Sequence, residues 1–168
     1  KKVLIPRPET EILVDQCLKV LGKNSSPARI LDLGSGSGIL AIVLAKEFPH
    51  SKITAIEKST VEVARKNALR HFVDDQVCFI SADLMKIDWQ GPYHLIVSNP
   101  PYIKSEELIK CMPEVQQYEP TEALDGGPDG LDYYRFIVPM ALEKLEDGGL
   151  LGLEISHTQA DPVVALME

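Results

Sequence analysis

The chain has 168 residues and a net charge of -8, a length that suits one domain with a buried core. Hydrophobic residues make up 45% and charged residues 25%, a globular balance without an apolar run long enough to span a membrane. The acidic balance argues against a domain whose main partner is a nucleic-acid backbone. Cys17, Cys78 and Cys111 form no CxxC pair, which argues against a zinc site or a disulfide framework and favours the cytoplasm.

Helical and extended patterns alternate along the chain, as in an α/β domain with a parallel sheet. After a proline-stiffened segment, a first helix is expected at residues 11–21, ending at Gly22. Strands are expected at residues 28–33, 52–57, 77–81, 93–98 and 150–155. Further helices are expected at residues 39–47, after residue 59, at 131–145 with a break or offset near Pro139, and from about residue 161.

Two of these segments carry more detailed expectations. Ser59 and Glu62 have the spacing of a capping box. The helix that they open carries one apolar stripe, made of Val61, Ala64, Ala68 and Phe72. The polar, glycine-rich stretch at residues 114–130 is long for a plain connection, which predicts a functional or mobile segment. Right-handed crossovers between the five strands predict a doubly wound sheet with its ligand at the carboxyl ends of the strands.

A glycine-rich turn, Gly34-Ser35-Gly36-Ser37-Gly38, links the first strand to the next helix. Such a turn lets a nucleotide-like cofactor approach the backbone. Its spacing differs from the G-x-G-x-x-G fingerprint that places a pyrophosphate at the helix dipole. S-adenosylmethionine has no phosphate and carries a cationic sulfonium, and Asp32 is suited to bind its amino acid moiety.

Acidic residues also end the next two strands. Glu57 is placed to bind both ribose hydroxyls, and Asp83-Leu84 falls where an adenine ring would lie. Solvated acids at strand ends are the alternative interpretation of Glu57 and Asp83.

Asn99-Pro100-Pro101-Tyr102 follows the fourth strand and is the most informative segment. A planar amide or adenine nitrogen is a poor nucleophile, because its lone pair is delocalised. The Asn99 side-chain oxygen and the Pro100 carbonyl can each accept one N–H of such a group, while Tyr102 lies against its flat face. The alternative is an ordinary strand exit. The four histidines fit no metal or triad spacing, so no metal ion is expected.

These segments resemble the HemK-type protein-(glutamine-N5) methyltransferases that act on peptide-chain release factors. The resemblance covers nearly the whole chain, and its more specific elements are Arg7-Pro8-Glu9-Thr10, Glu119-Pro120 and Ala123-Leu124-Asp125-Gly126-Gly127. Asn99-Pro100-Pro101-Tyr102 is less specific, because adenine-N6 methyltransferases share it. Ser156-His157-Thr158-Gln159 stands where the family often has Gly-Tyr-Gly-Gln, which leaves the role of that loop open.

The resemblance implies a mostly parallel, Rossmann-like class I methyltransferase sheet, with S-adenosylmethionine as donor and S-adenosylhomocysteine as product. The implied acceptor is the glutamine of the Gly-Gly-Gln loop of a release factor, and Arg7, Pro8 and Glu9 would help to close the site. The family domain ends in an antiparallel hairpin and follows an N-terminal helical substrate-recognition domain. We therefore expect residues 1–168 to be a catalytic-domain fragment without either, cytoplasmic and monomeric.

Three alternatives stay open at this point. One is a related enzyme that methylates a ribosomal-protein glutamine. Another is an adenine-N6 methyltransferase of DNA or RNA, which needs a basic channel to reach a flipped base. The third is a non-catalytic nucleotide-binding or NAD-dependent domain, which would leave Asn99-Pro100-Pro101-Tyr102 without a purpose.

Overall fold

The computed structural model describes residues 3–22 and 29–168 and contains one five-stranded sheet. Its strands are β1 (Arg29–Leu33), β2 (Lys52–Glu57), β3 (Val77–Ser81), β4 (Tyr93–Ser98) and β5 (Leu145–Leu153). They are all parallel and lie in the order β3-β2-β1-β4-β5. The strand order reverses between β1 and β4, which confirms the doubly wound sheet and places its switch point at their carboxyl ends.

Helices connect the strands and cover both faces of the sheet. They are α1 (Pro8–Leu21), α2 (Ile39–Glu47), α3 (Val61–Arg70), α4 (Pro113–Tyr118), α5 (Asp132–Lys144) and α6 (Ala160–Met167). Two short 3-10 helices, Ser105–Lys110 and Thr121–Ala123, lie in the long segment between β4 and α5. None of the helices in the described part of the chain is long and apolar enough to cross a membrane.

The core consists of two apolar layers, one on each face of the sheet. Alternate residues of β1 point to opposite faces, so that Ile30 packs with α1, α2 and α3 while Leu31 packs with α5. Both residues are fully buried. A parallel strand is covered on both faces, which explains why β1 has apolar residues on each face, at Ile30, Leu31 and Leu33.

The structure corrects the ends of two predicted elements and the break expected in a third, since α5 runs without interruption through Pro139. The first helix begins at Pro8, not residue 11, because proline is well suited to the first helical position. The fifth strand begins at Leu145 and ends at Leu153, because a bulge separates the pairing of Leu145 with Tyr93 from that of Leu150 with Leu95. Residue 28 of the first predicted strand lies outside the described residues.

Both detailed expectations about the third helix need correction. The capping box is wrong, since α3 begins after Thr60, and Ser59 donates from its backbone N–H to Glu57 instead. Glu62 pairs with Arg65 at 2.8 Å. Phe72 does not continue the apolar stripe, because the helix ends at Arg70 and the Phe72 side chain is 88% exposed.

Candidate active site

A cavity of 490 Å³ opens at the carboxyl ends of the strands, beside the switch point. It contains most of the residues predicted to bind a cofactor: Gly34, Ser35, Gly36, Ser37, Glu57, Asp83, Leu84 and Asn99. Pro101 also lines it, and so does Thr10, which had no predicted role. Seven other residues with a predicted role do not line the cavity: Asp32, Gly38, Arg7, Pro8, Glu9, Pro100 and Tyr102.

The glycine loop, residues 34–38, owes its shape to positive backbone angles that favour glycine. Gly34, Gly36 and Gly38 have φ values of 69°, 54° and 82°. Gly38 also allows α2 and α3 to approach each other, because an added Cβ there would lie 3.1 Å from the Cβ of Ala64. The loop leaves open space beside Gly36, where an added Cβ would meet nothing closer than 3.9 Å.

Glu57 ties the glycine loop to the turn that precedes α3. One carboxylate oxygen accepts the Gly36 N–H at 2.8 Å, and the other accepts the N–H groups of Ser59 and Thr60 at 2.9 and 3.1 Å. The Thr60 hydroxyl in turn donates to the Gly36 carbonyl at 3.1 Å. The acid at the end of β2 is therefore an anchor of the loop as well as a wall of the cavity.

Asp32 lies beneath the loop and is fully buried. One carboxyl oxygen accepts the Ala41 N–H at 3.2 Å, which satisfies a donor in the first turn of α2 where the N-cap, Gly38, has no side chain. The other oxygen has no partner among the described residues. The pKa of Asp32 is raised to about 7: burial is the main cause, the Ala41 hydrogen bond opposes it, and the nearby Glu57 carboxylate adds to it. Its assignment to the amino acid moiety of a cofactor stays a prediction.

The cavity has an acidic lining. Its charged side chains among the described residues are five carboxylates and one lysine: Glu57, Asp83, Glu122, Asp125, Asp132 and Lys58. The Met85 N–H and the Lys58 ammonium, 3.4 Å away, hold the pKa of Asp83 below its ordinary value. Such a lining favours a cationic ligand and disfavours a pyrophosphate.

The Asn99 turn, residues 99–102, is held by the segment that precedes α5. Ile103 forms a bridge with Asp125, and an added Cβ at Gly126 would lie 2.7 Å from the Cα of Tyr102. The Gln159 amide nitrogen donates to the carbonyls of Tyr102 and Gly130 at 3.1 and 3.0 Å. Part of the stretch at residues 114–130, which was predicted to be functional or mobile, therefore contacts the Asn99 turn.

Around Tyr102, the structure brings together residues from both ends of the chain. Arg7 forms an ion pair with the buried Glu119 at 2.5 Å, so the segment before α1 is joined to the segment after α4. Burial raises the pKa of Tyr102, and the Glu154 and Glu9 carboxylates raise it further while Arg7 lowers it. The predicted substrate-binding residues Arg7 and Glu9 are thus close to the Asn99 turn, and Pro8 begins the helix between them.

Asn99 itself is bonded to side chains that had no predicted role. Its amide nitrogen donates to the Thr10 hydroxyl at 3.3 Å, and that hydroxyl donates to Glu154 at 2.9 Å. Glu154 directly follows β5 and is an acid at a strand end, like Glu57 and Asp83. The expectation that acids at the ends of strands belong to the site would also have selected Glu154 from the sequence. Thr10 and Glu119 belong to segments that carry the family resemblance, but no local pattern assigns a role at the site to them or to Gln159.

A family model described as "Methyltransferase small domain" matches residues 9–115, well over half of the chain. The chain belongs to this family. The matched residues include the glycine loop, Glu57, Asp83 and the Asn99 turn. The matched residues thus supply most of the cavity wall, and the remaining wall comes from residues 3–6 and 120–133.

Individual relatives share more of the sequence of this methyltransferase domain than the family model describes. It is 43% identical to a protein from Geobacter sulfurreducens named release factor glutamine methyltransferase, over 98% of this chain and 57% of the relative. A protein of the same name from Fusobacterium nucleatum is 42% identical over 99% of this chain and 47% of the relative. The chain therefore spans about half the length of these relatives.

The solved structures agree with the fold. An RNA methyltransferase from Salinibacter ruber, in complex with S-adenosyl-L-homocysteine, superposes with a TM-score of 0.59. The match covers 90% of this chain and 79% of that one at 21% identity. At this identity the likeness concerns the fold, which is that of a class I methyltransferase.

Proposed function

We propose that residues 1–168 form the catalytic domain of a cytoplasmic enzyme that methylates peptide-chain release factors. The methyl group goes from S-adenosylmethionine to the side-chain amide nitrogen of the glutamine in the Gly-Gly-Gln loop. The names of the relatives support this substrate, since they match nearly the whole chain at about 40% identity. The observation that carries the proposal is Asn99 at the edge of an acidic cavity, with its amide nitrogen bound by Thr10.

The polar and charged groups of the cavity suit the chemical groups of S-adenosylmethionine. The glycine loop would lie against the amino acid moiety, Glu57 would bind the ribose hydroxyls and Asp83 the adenine amino group. The carboxylates that line the cavity suit the positive charge of the cofactor. When bound, the cofactor supplies an electrophilic methyl group on its sulfonium. The Ser35 hydroxyl is buried without a partner among the described residues and is a further donor for it.

The Asn99 turn supplies what the acceptor nitrogen needs. The described contacts of Asn99 occupy its nitrogen, so its oxygen is left to accept an N–H of the substrate amide. The Pro100 carbonyl accepts the second N–H, and a proline backbone keeps that carbonyl aimed. Two acceptors stabilise the positive charge that develops on the nitrogen during transfer. No general base is required, since the proton leaves to water afterwards.

The adenine-N6 alternative fits the cavity less well. A flipped base arrives with phosphates on both sides, and these would meet Glu122, Asp125 and Asp132 at the cavity. A glutamine loop brings no such charge. The acidic lining therefore favours a protein acceptor.

The test uses the full-length protein, labelled S-adenosylmethionine, and two acceptors, a release factor and duplex DNA. We expect label on the release factor, lost when its Gly-Gly-Gln glutamine is replaced. Label on DNA would refute the proposed substrate while keeping the chemistry. Label on another protein, such as a ribosomal protein, would keep glutamine transfer and refute the release factor.

Asn99→Ala is the matching variant within the enzyme. We expect turnover to fall about 100- to 1000-fold, the usual cost of removing one group that stabilises developing charge. Cofactor binding, measured by calorimetry, should persist. Turnover equal to that of the wild type would exclude Asn99 from the role given to it.

A further inference from the structure

A short hydrogen-bonded chain leads away from the cavity behind Asn99. The Asn99 amide nitrogen donates to the Thr10 hydroxyl at 3.3 Å, and Thr10 donates to Glu154 at 2.9 Å. The Asn99 side chain also lowers the pKa of the Glu154 carboxyl. These residues come from the start of α1, the end of β4 and the end of β5, so the folded domain alone brings them together. Thr10 is only 4% exposed, which shields the chain from water.

The donors and acceptors of the three side chains allow only one direction for these hydrogen bonds. An ionised carboxylate can only accept hydrogen bonds, so the single O–H of Thr10 must point to Glu154. The Thr10 oxygen then has only lone pairs to offer Asn99, which must present its NH2 group. A carboxamide that turns its nitrogen inward turns its oxygen outward.

We propose that Thr10 and Glu154 are positioning residues that fix the carboxamide of Asn99 with its oxygen toward the substrate nitrogen. This inference rests on the proposed function, in which that oxygen accepts a substrate N–H. A flipped carboxamide would oppose its own NH2 to the substrate NH2, two donors facing each other. The negative charge of Glu154 therefore excludes the unproductive orientation.

The surroundings of Glu154 make this arrangement sensitive to protonation. Burial raises the pKa of Glu154 and the Glu9 carboxylate on α1 raises it further, while the bonds from Thr10 and Asn99 lower it. Tyr102 faces it from the Asn99 turn, and the Tyr134 hydroxyl on α5 donates to the Glu154 backbone carbonyl at 2.8 Å. A protonated Glu154 could donate to Thr10 and reverse the chain. Turnover should therefore decline on acidification as Glu154 gains its proton.

The test compares isosteric variants in the full-length protein. Thr10→Val removes the hydroxyl at constant shape, Thr10→Ser keeps it, and Glu154→Gln removes the charge. We expect Thr10→Val and Glu154→Gln to lower kcat about 10- to 100-fold, the scale of a small misplacement in a site. KM for the release factor and cofactor affinity should stay near wild-type values, and Tm should fall by only a few degrees, the cost of one lost hydrogen bond. Thr10→Ser should recover most of the lost turnover, and Glu154→Gln should lose the acidic decline.

The matched control is Glu146→Gln, which neutralises a glutamate near the opposite end of β5, where it pairs with His94. Its kcat and pH profile should equal those of the wild type. Unchanged kcat in Thr10→Val and Glu154→Gln would overturn the proposal. A fall in kcat that only follows a loss of folded protein or of cofactor binding would overturn it as well, because it would show a structural role.

A second measurement separates this proposal from the proposed function. The NMR signals of the Asn99 side-chain NH2 report its hydrogen bond without any turnover. They should keep their shift in Thr10→Ser and move in Thr10→Val. An unmoved signal in Thr10→Val would overturn the fixed orientation. Should the wild type fail to methylate a release factor while the signal behaves as expected, the substrate is refuted and the orientation upheld.

Discussion

The glycine loop and the Asn99 turn follow the neighbouring strands β1 and β4, form two sides of one cavity and are held in different ways. The glycine loop is held by its own positive backbone angles and by Glu57, whose carboxylate binds backbone N–H groups on neighbouring strand ends. The Asn99 turn is held by side chains that are far away in sequence, Thr10 and Gln159. The glycine loop can be built largely from local backbone. The orientation of the Asn99 carboxamide depends instead on residues that only the whole fold brings together.

The glycine loop should be the more sensitive side for cofactor affinity, and Glu57→Gln tests this. The variant keeps the shape of the side chain, but it replaces one acceptor oxygen by an NH2 group that faces backbone donors. A hydrogen bond to a charged group contributes about 1.5–3 kcal/mol, so we expect the cofactor Kd to rise roughly 10- to 100-fold. Calorimetric titration with S-adenosylmethionine measures it.

Glu62→Gln is the control, since Glu62 is exposed on α3 and pairs only with Arg65 among the interactions described for it. Its cofactor Kd should be unchanged. If Glu57→Gln bound the cofactor as tightly as this control, Glu57 would be neither anchor nor ligand, and the contrast between the two sides would lose its basis.

The fold was largely predictable because its signals are local. Three of the strands, β2, β3 and β4, and the helix α2 have the predicted bounds, since apolar runs between turn residues determine where buried parallel elements begin and end. β5 was predicted less well, because a bulge carries it past two glycines that look like a turn. Phe72 was misplaced because helical periodicity continues in the sequence beyond the point where α3 ends.

The candidate site was predictable on one side only. Motif spacing and the rule that ligands bind at strand ends locate the glycine loop, Glu57, Asp83 and Asn99. The partners of the Asn99 turn depend on contacts across 57 to 89 residues of chain. Such contacts leave no period or spacing in a single sequence. Arg7 with Glu119 is a similar case, since its two residues lie 112 positions apart.

Gln159 offers a way to loosen the Asn99 turn while leaving the glycine loop intact. Gln159→Glu is isosteric, but a carboxylate cannot donate to the carbonyls of Tyr102 and Gly130. One buried and one partly buried carbonyl would lose their donor, which costs about 2 kcal/mol of unfolding free energy. We expect turnover to fall roughly tenfold with little change in cofactor affinity. Urea unfolding and turnover with a release factor measure the two effects.

Gln16→Glu makes the same chemical change on an exposed position of α1 and should affect neither quantity. Equal stability of the two variants would show that Gln159 does not hold the turn. A loss of cofactor affinity in Gln159→Glu would show that the two sides of the cavity are coupled, contrary to the comparison above.

Asp32 belongs to the glycine loop side and gives the smallest expected effect, one that changes with pH. Burial raises its pKa to about 7, above its ordinary value of 3.8. Because the folded pKa is the higher one, the ionised carboxylate costs the folded state free energy above pH 7, and this cost disappears as the pH falls toward 4. Asp32→Asn removes the charge but adds an amide N–H2 in place of an oxygen that lacks a partner in the described structure.

The two effects oppose each other, so we expect Asp32→Asn to gain only about 1 kcal/mol of unfolding free energy at pH 8. Near pH 4 the native carboxyl is already neutral, and the variant should be the less stable protein. Thermal unfolding of both proteins from pH 4 to pH 8.5 measures this crossover, and a difference that does not vary with pH would show that Asp32 keeps an ordinary pKa. Cofactor affinity at pH 8 tests whether Asp32 also binds the cofactor. A higher Kd in the more stable variant means that the buried carboxylate acts on the amino acid moiety of the cofactor. An unchanged Kd leaves Asp32 as the cap of α2 only.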